Sequence, residues 1–114
     1  MELDYSNLEN NIRLIQLDGA LDMNGAYSIE VQFVRACEGK NARVIVDLSR
    51  VDYISSVGIP MLVNTAKSVT ARGGRMVLLN PQKPVADVLE LTGISEVIPI
   101  HFNLQSAKAE VMSV

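Results

Sequence analysis

The spacing of hydrophobic positions changes along this chain, and the change predicts its secondary structure. An apolar run rich in β-branched residues at 44–48 predicts a buried strand. Apolar side chains then recur every three or four positions over residues 59–69, which predicts a helix. A second apolar run at 75–80 follows Gly73-Gly74. Strand, helix and strand in this order predict a right-handed crossover between parallel strands.

The rest of the chain extends this unit on both sides. Residues 3–8 and 12–17 predict two strands, and the short turn at Glu9-Asn10-Asn11 makes them antiparallel. The further elements predicted are a loop at 23–25, a helix over 26–38, a helix that begins near Pro84, an edge strand over 97–100 and a helix capped by Asn103. The chain is therefore predicted to be one α/β domain, residues 1–114, with a four- or five-stranded mixed sheet and four helices.

The same spacing predicts which side chains form the core. The predicted core residues are Ile29, Phe33, Val44, Val46, Leu62, Ala66, Val77 and Leu79. Cys37 shares the apolar stripe of the first helix, so it is predicted to be a buried residue and not a redox thiol.

Composition narrows the classes of function. The formal net charge is −3, which argues against a nucleic-acid partner. Hydrophobic residues make up 48% of the 114 positions, yet no apolar run is long enough to span a bilayer and no signal peptide is visible. With one cysteine, no internal disulfide can form. These features predict a cytoplasmic protein without a membrane partner.

The residues needed for self-contained catalysis are largely missing from the sequence. His101 is the only histidine and Cys37 the only cysteine, so no metal cluster is expected. A Ser–His–Asp triad would have to use His101, which is predicted to be a partly exposed loop residue. Neither a Gly-x-Ser-x-Gly motif nor a phosphate-binding loop is present. The chain is therefore predicted to be neither an enzyme nor a cofactor-binding protein.

Ser55 and Ser56 lie between the central strand and its helix, and two roles are open for them. A serine at a helix start often caps the helix by accepting backbone hydrogen bonds. The alternative is a phosphate acceptor, since helix N-termini hold anions well. Gly58 would then leave room for the backbone of a partner. Spacing alone does not decide between these roles.

Four segments together resemble the STAS domain family, in particular its anti-sigma factor antagonists. They are residues 47–59 around Tyr53-Ile54-Ser55-Ser56-Val57-Gly58, Gly19-Ala20-Leu21-Asp22, Gly73-Gly74 and Leu91-Thr92-Gly93-Ile94. The resemblance implies that an anti-sigma factor with serine kinase activity phosphorylates Ser56, two places before the glycine. It also implies that the unphosphorylated domain binds this anti-sigma factor and that a phosphatase restores it. The family often has Asp where this chain has Ser55, which is the lesser candidate acceptor.

A partner surface is predicted from the loop after the second strand, the serine segment and the first turns of the following helix, since both loops follow strands at one end of the sheet if the second strand runs parallel to the strand at 44–48. The residues predicted to form it are Asp22, Met23, Asn24, Ser55, Ser56, Val57, Gly58 and Met61. Two other hypotheses stay open. One is a stand-alone STAS subunit that docks to a transporter ATPase without phosphorylation. The other is a small enzyme with Ser56 as its nucleophile.

Overall fold

The computed structural model describes residues 1–113, which fold into a five-stranded mixed sheet with four helices. The strands are β1 (Glu2–Asn7), β2 (Ile12–Leu21), β3 (Arg43–Ile54), β4 (Arg75–Leu79) and β5 (Ile100–His101). The helices are α1 (Met23–Ala36), α2 (Ile59–Ala71), α3 (Lys83–Leu91) and α4 (Leu104–Met112), with short 3₁₀ turns at Glu9–Asn11 and Ile94–Glu96. The predicted fold class is confirmed.

The strand order in the sheet is the same as their order in the chain. β1 pairs antiparallel with β2, while β2, β3, β4 and β5 pair in parallel. The predicted antiparallel first pair, the parallel pairing of β3 with β4 and the edge position of the last strand are all confirmed. Asn10 and Asn11 have φ of 60°, the left-handed conformation expected of the turn between β1 and β2.

Side chains alternate between the two faces of the sheet, as the pleat requires. Val44, Val46 and Leu48 belong to the large core beneath α1, α2 and α3, whereas Ile45 belongs to a smaller core with residues of α4. All eight predicted core residues are buried. In α4 the buried stripe consists of Ala107 and Val111, while Leu104 in the first turn is 36% exposed.

β3 is longer than predicted. The prediction ended it at residue 48 because its second half carries few apolar residues. Residues 44–48 form a continuous apolar run apart from Asp47, but beyond Leu48 only Val51 and Ile54 are buried. This half pairs with residues 18–21 of β2 across two register shifts, so the strand continues without a continuous hydrophobic signal. Its extension brings the serine segment beside the end of β2.

β2 continues to Leu21, beyond its predicted end at residue 17, and the bounds of α1 and of the last strand also differ from the prediction. Residues 23–25, predicted as a loop, form the first turn of α1. Gly25 suggested a loop, but it is needed there because a Cβ at this position would collide with the carbonyl oxygen of Ala20. The last strand begins at Ile100, because the 3₁₀ turn at Ile94–Glu96 precedes it and the chain first pairs with β4 through the carbonyl of Pro99.

Candidate functional site

The ends of β2 and β3 bring the two predicted loop segments together. Leu21 and Ile54 are paired residues, and the Ser55 amide donates a hydrogen bond to the Leu21 carbonyl at 3.1 Å. Asp22 and Ser56 each lie one residue beyond this bond. The structure therefore places residues 22–24 beside residues 55–58, at the carboxyl end of the sheet, where α/β folds commonly bind ligands and partners.

The serine segment is a tight turn held by Ser55. The carbonyl of Ser55 accepts from the Gly58 amide at 3.0 Å, and its hydroxyl oxygen accepts from the Val57 amide at 3.2 Å. Ser55 is half-buried, whereas Ser56 is exposed. The more accessible hydroxyl is therefore that of Ser56.

The capping alternative is wrong for both serines. Gly58 is the N-cap of α2, and no side chain caps this helix. Pro60 lies in the first turn, where its missing N–H is tolerated. The amide groups that begin α2 thus have no side-chain acceptor, which leaves the positive end of the helix dipole beside Ser56.

Gly58 has a structural reason to be glycine. It is buried, and a Cβ there would lie 2.5 Å from the carbonyl oxygen of Leu21 and 2.9 Å from its Cγ. The expectation that Gly58 leaves room for a partner's backbone is therefore wrong, since Leu21 occupies that space. Gly58 lets α2 begin directly against the end of β2.

Asp22 shapes the other half of the site. Its Oδ1 accepts from the Gly25 amide at 2.8 Å, so Asp22 is the N-cap of α1. Met23 and Asn24 follow in the first turn with their side chains exposed. The start of α1 therefore presents one apolar and one amide side chain next to the serine segment.

The apolar residues predicted for the partner surface differ in accessibility. Met23 is 52% exposed and Val57 is 48% exposed, whereas Met61 is 8% exposed and belongs to the main core. Exposed apolar side chains at a site are often contacts for a partner. Met23 and Val57 are therefore the accessible apolar part of this surface.

One feature near the site was missed by the sequence reasoning. A groove of about 500 Å³ runs between α1 and α2 and includes Met23, Tyr27, Val34 and Val57 in its lining. Its signal was visible in the sequence, because Met23, Tyr27 and Val34 recur at helical spacing outside the buried stripe of α1.

Cys37 and His101 lie apart from the serine segment. Burial raises the pKa of the Cys37 thiol to about 12, against a smaller opposing effect of Arg13 and Arg72, so the thiol stays protonated. This agrees with the predicted core role.

His101 was predicted to be a partly exposed loop residue, but it lies in β5 and contacts α4. Its Nδ1 is 3.0 Å from the Ser106 hydroxyl, and its Nε2 is 3.4 Å from Glu110 Oε1 without hydrogen-bond geometry. Glu110 is also bound by Arg75 at 2.7 Å. These contacts hold α4 against the sheet, which accounts for the position of His101.

Residues 1–113 hold no cluster of three or more side chains suited to a metal ion. None of the helices in this range has the length and hydrophobicity needed to cross a membrane.

Comparison with known proteins identifies the family. The STAS domain profile matches residues 7–107. The anti-sigma-B factor antagonist of Bacillus subtilis is 28% identical, over 96% of this chain and 94% of the relative. An anti-sigma-factor antagonist (STAS) domain protein from Planctomyces limnophilus superimposes with a TM-score of 0.84 at 22% identity, over 96% of this chain and 97% of that one.

Another protein, SpoIIAA, has been solved with this fold in two states. Unphosphorylated SpoIIAA, an anti-sigma factor antagonist, superimposes with a TM-score of 0.77 at 20% identity, over 99% of this chain and 98% of that one. Phosphorylated SpoIIAA, described as a Bacillus cell fate determinant, superimposes with a TM-score of 0.68 at 19% identity, over 96% and 99%.

The chain belongs to the STAS domain family. Among its relatives in that family are proteins named anti-sigma factor antagonists.

Proposed function

We propose that this chain is an anti-sigma factor antagonist that works by partner switching. With Ser56 unmodified it binds an anti-sigma factor that has serine kinase activity, and phosphorylation of Ser56 releases it. A phosphatase removes the phosphate and restores binding. We place this switch in the cytoplasm, where transcription factors act, and we assign the chain a binding role and no catalytic one.

The observation that carries this proposal is the exposed Ser56 hydroxyl at the start of α2 in a STAS domain. Ser55 is the weaker candidate because its hydroxyl oxygen already accepts the Val57 amide and its side chain is half-buried. The names of the relatives support the antagonist role, and phosphorylated SpoIIAA shows that a protein of this fold can carry a phosphate.

The local geometry fits a phosphate that changes binding without unfolding the domain. The turn is held by backbone bonds from Ser55 to Leu21 and from Gly58 to Ser55, and none of them uses the Ser56 hydroxyl. A phosphoserine carries about −1.5 to −2 charges at neutral pH. The uncapped start of α2 stabilises part of that charge.

The bound partner, in contrast, would have to accommodate the phosphate in a dehydrated interface. Met23 and Val57 expose apolar side chains at this surface, and Asp22 adds a negative charge nearby. A loss of about 3 kcal/mol of binding corresponds to roughly a hundredfold loss of affinity. Phosphorylation is therefore expected to separate the two proteins.

The test begins with purified anti-sigma factor kinases of the source organism, each incubated with this protein and ATP. Mass spectrometry is expected to locate one phosphate on Ser56 for one of them. Ser56→Ala is expected to bind that kinase and remain unmodified, whereas the matched variant Ser55→Ala is expected to be modified like the wild type. Ser56→Asp is expected to bind about a hundredfold more weakly in calorimetric titration, with unchanged melting.

Three results would contradict the proposal. Modification of Ser56→Ala at the wild-type rate would move the acceptor elsewhere, with Ser55 next to examine. Wild-type affinity of Ser56→Asp would exclude the charge mechanism. Co-purification with a transporter ATPase, without phosphorylation by any of these kinases, would favour a fixed interface instead.

A further inference from the structure

The groove between α1 and α2 runs along both helices. At one end the Ser55 amide bonds the Leu21 carbonyl, which brings the two helix starts together. At the other end Nη2 of Arg72 donates to the Cys37 carbonyl at 2.8 Å, which brings the two helix ends together. The helices thus lie side by side and point the same way. With 14 residues in α1, the groove is about 20 Å long.

The chemistry of the lining changes along the groove. The end near Ser56 is apolar, Glu30 lies about halfway along α1, and the apolar Val34 lies in the last turn of α1, just before Glu38. On the α2 side, polar residues Asn64 and Ser68 follow toward the far end. Tyr27 and Val34 are 73% and 44% exposed, so the lining includes apolar surface that this domain does not cover itself.

The charge in the groove is mostly negative. Two carboxylates, Glu30 and Glu38, line it together with a single cation, Arg72. The Arg72 guanidinium donates through Nε to the Gly39 carbonyl at 3.0 Å and through Nη2 to the Cys37 carbonyl. Because these bonds tie Arg72 to the end of α1, the carboxylates are the more accessible charges.

We propose that the anti-sigma factor lays a segment along this groove, with apolar side chains toward Ser56 and lysine or arginine toward Glu30 and Glu38. This inference rests on the function proposed above and extends its contact surface. The argument is continuity, because Met23 and Val57 belong both to the surface around Ser56 and to the lining of the groove. A partner bound at Ser56 therefore already covers one end of the groove.

In this proposal the two ends of the groove have different roles in one interface. The end at Ser56 responds to phosphorylation, because a phosphate there adds charge to an apolar contact. The rest of the groove, along α1 and α2, contributes affinity and selects partners by the charge at their far end. Selection by complementary charge is a common device of protein interfaces.

Matched variants on each helix test this proposal. Val34→Lys and Ser68→Arg place a long cation in the groove, whereas Gln32→Lys and Thr70→Arg place one on exposed positions of the same helices outside it. The probe is the purified kinase that modifies Ser56 in the assay above, titrated into each variant. The groove variants are expected to lose affinity by about tenfold or more, and the controls by no more than about twofold.

The basic end of the partner segment is tested by charge removal. Glu30→Gln combined with Glu38→Gln is expected to weaken binding at low salt and to reduce the dependence of affinity on salt concentration. An unchanged salt dependence would overturn the assignment of lysine or arginine to this end.

The outcomes separate this proposal from the proposed function. If Val34→Lys and Ser68→Arg bind as the wild type does while Ser56→Asp loses affinity, the groove proposal is wrong and the switch stands. If no kinase binds or modifies the wild type, the proposed function fails and the groove proposal with it. If the wild type self-associates in sedimentation experiments and Val34→Lys abolishes that association, the groove holds a second copy and the proposal is overturned.

Discussion

The polar groups at the two ends of the sheet differ: at one end side chains bond backbone carbonyls, and at the other a hydroxyl remains exposed and a helix start lacks a side-chain cap. The amino end comprises Arg13, Arg43, Arg72 and the loop at 37–42, and its arginines donate to backbone carbonyls. Arg13 reaches the carbonyls of Ala36 and Glu38, and Arg43 reaches that of Asn10 at 2.7 Å. The carboxyl end comprises residues 21–24 and 55–61. It leaves Ser56 exposed and the start of α2 without a side-chain cap.

This difference separates contacts that fix the backbone from a surface that stays exposed. At the amino end, Arg13 and Arg72 donate to carbonyls at and just beyond the end of α1, and their positive charges also interact favourably with the negative end of the helix dipole. At the carboxyl end, the backbone of the turn is held internally while its side chains face outward. A rigid backbone with exposed side chains suits a surface whose affinity is to be changed by one modification.

The largest expected effect on the free energy of unfolding comes from truncating a buried side chain at the carboxyl end of the sheet. Leu21 is fully buried and its Cγ is near Gly58, so Leu21→Ala is expected to lower the free energy of unfolding by about 2–5 kcal/mol. Val57→Ala, on the exposed side of the same end, is expected to change it by less than about 0.5 kcal/mol. Urea denaturation of both variants measures the two values. Similar losses for both would show that the exposed side chains of this end also stabilise the fold.

An intermediate effect is expected at the amino end. Arg13→Ala removes two hydrogen bonds to the end of α1 and is expected to cost about 1–3 kcal/mol of stability. Arg35→Ala removes an exposed guanidinium of α1 and serves as the control. Affinity for the kinase is expected to stay at the wild-type level for both, as measured by calorimetry. A loss of affinity for Arg13→Ala at unchanged stability would show that Arg13, which lies outside the groove, also takes part in binding.

The fold was predictable where a clear strand or helix pattern was bounded by a turn or capping residue. Apolar runs separated by Gly73-Gly74 gave β3, α2 and β4 in the right order, and Asn103 was recognised as the cap of α4. The extension of β3 was not predictable, because residues 49–54 are mostly polar and depend on pairing with β2. The early start of α1 was hidden by Gly25, whose role depends on the carbonyl of Ala20.

The sequence predicted which segments lie at the site better than it predicted what each of their residues does there. Sequence position alone placed Asp22 and Ser56 after neighbouring strands. It could not show that Gly58 faces Leu21 or that Met61 is buried, because both depend on contacts between distant segments. The role of Ser55 in the turn depends on local bonds to Val57 and Gly58, which residue type alone does not specify. The groove was overlooked because a second apolar stripe on α1 has meaning only once α2 lies beside it.

The smallest expected effect concerns Asp22, which belongs to both sides of this comparison because it caps α1 and carries charge near Ser56. Asp22 and Ser56 each lie one residue from the 3.1 Å bond between Leu21 and Ser55. Consecutive Cα atoms are about 3.8 Å apart, so the two residues are within roughly 12 Å of each other. Charges at that separation repel by about 0.3 kcal/mol in water and about 1.4 kcal/mol at the effective dielectric constant near a protein surface, so docking that removes water strengthens the repulsion by about 1 kcal/mol at most.

A double-mutant cycle isolates this interaction. Asp22→Asn retains a good N-cap, so its stability is expected to stay within about 0.5 kcal/mol of the wild type, whereas Asp22→Ala is expected to lose about 1 kcal/mol. Adding Asp22→Asn to Ser56→Asp is expected to recover about twofold to threefold of the lost kinase affinity, since one of two like charges is gone. Calorimetric titration of the wild type, both single variants and the double variant gives the coupling. Additive losses would show that Asp22 contributes only its cap, and that desolvation of the charge at Ser56 accounts for the switch.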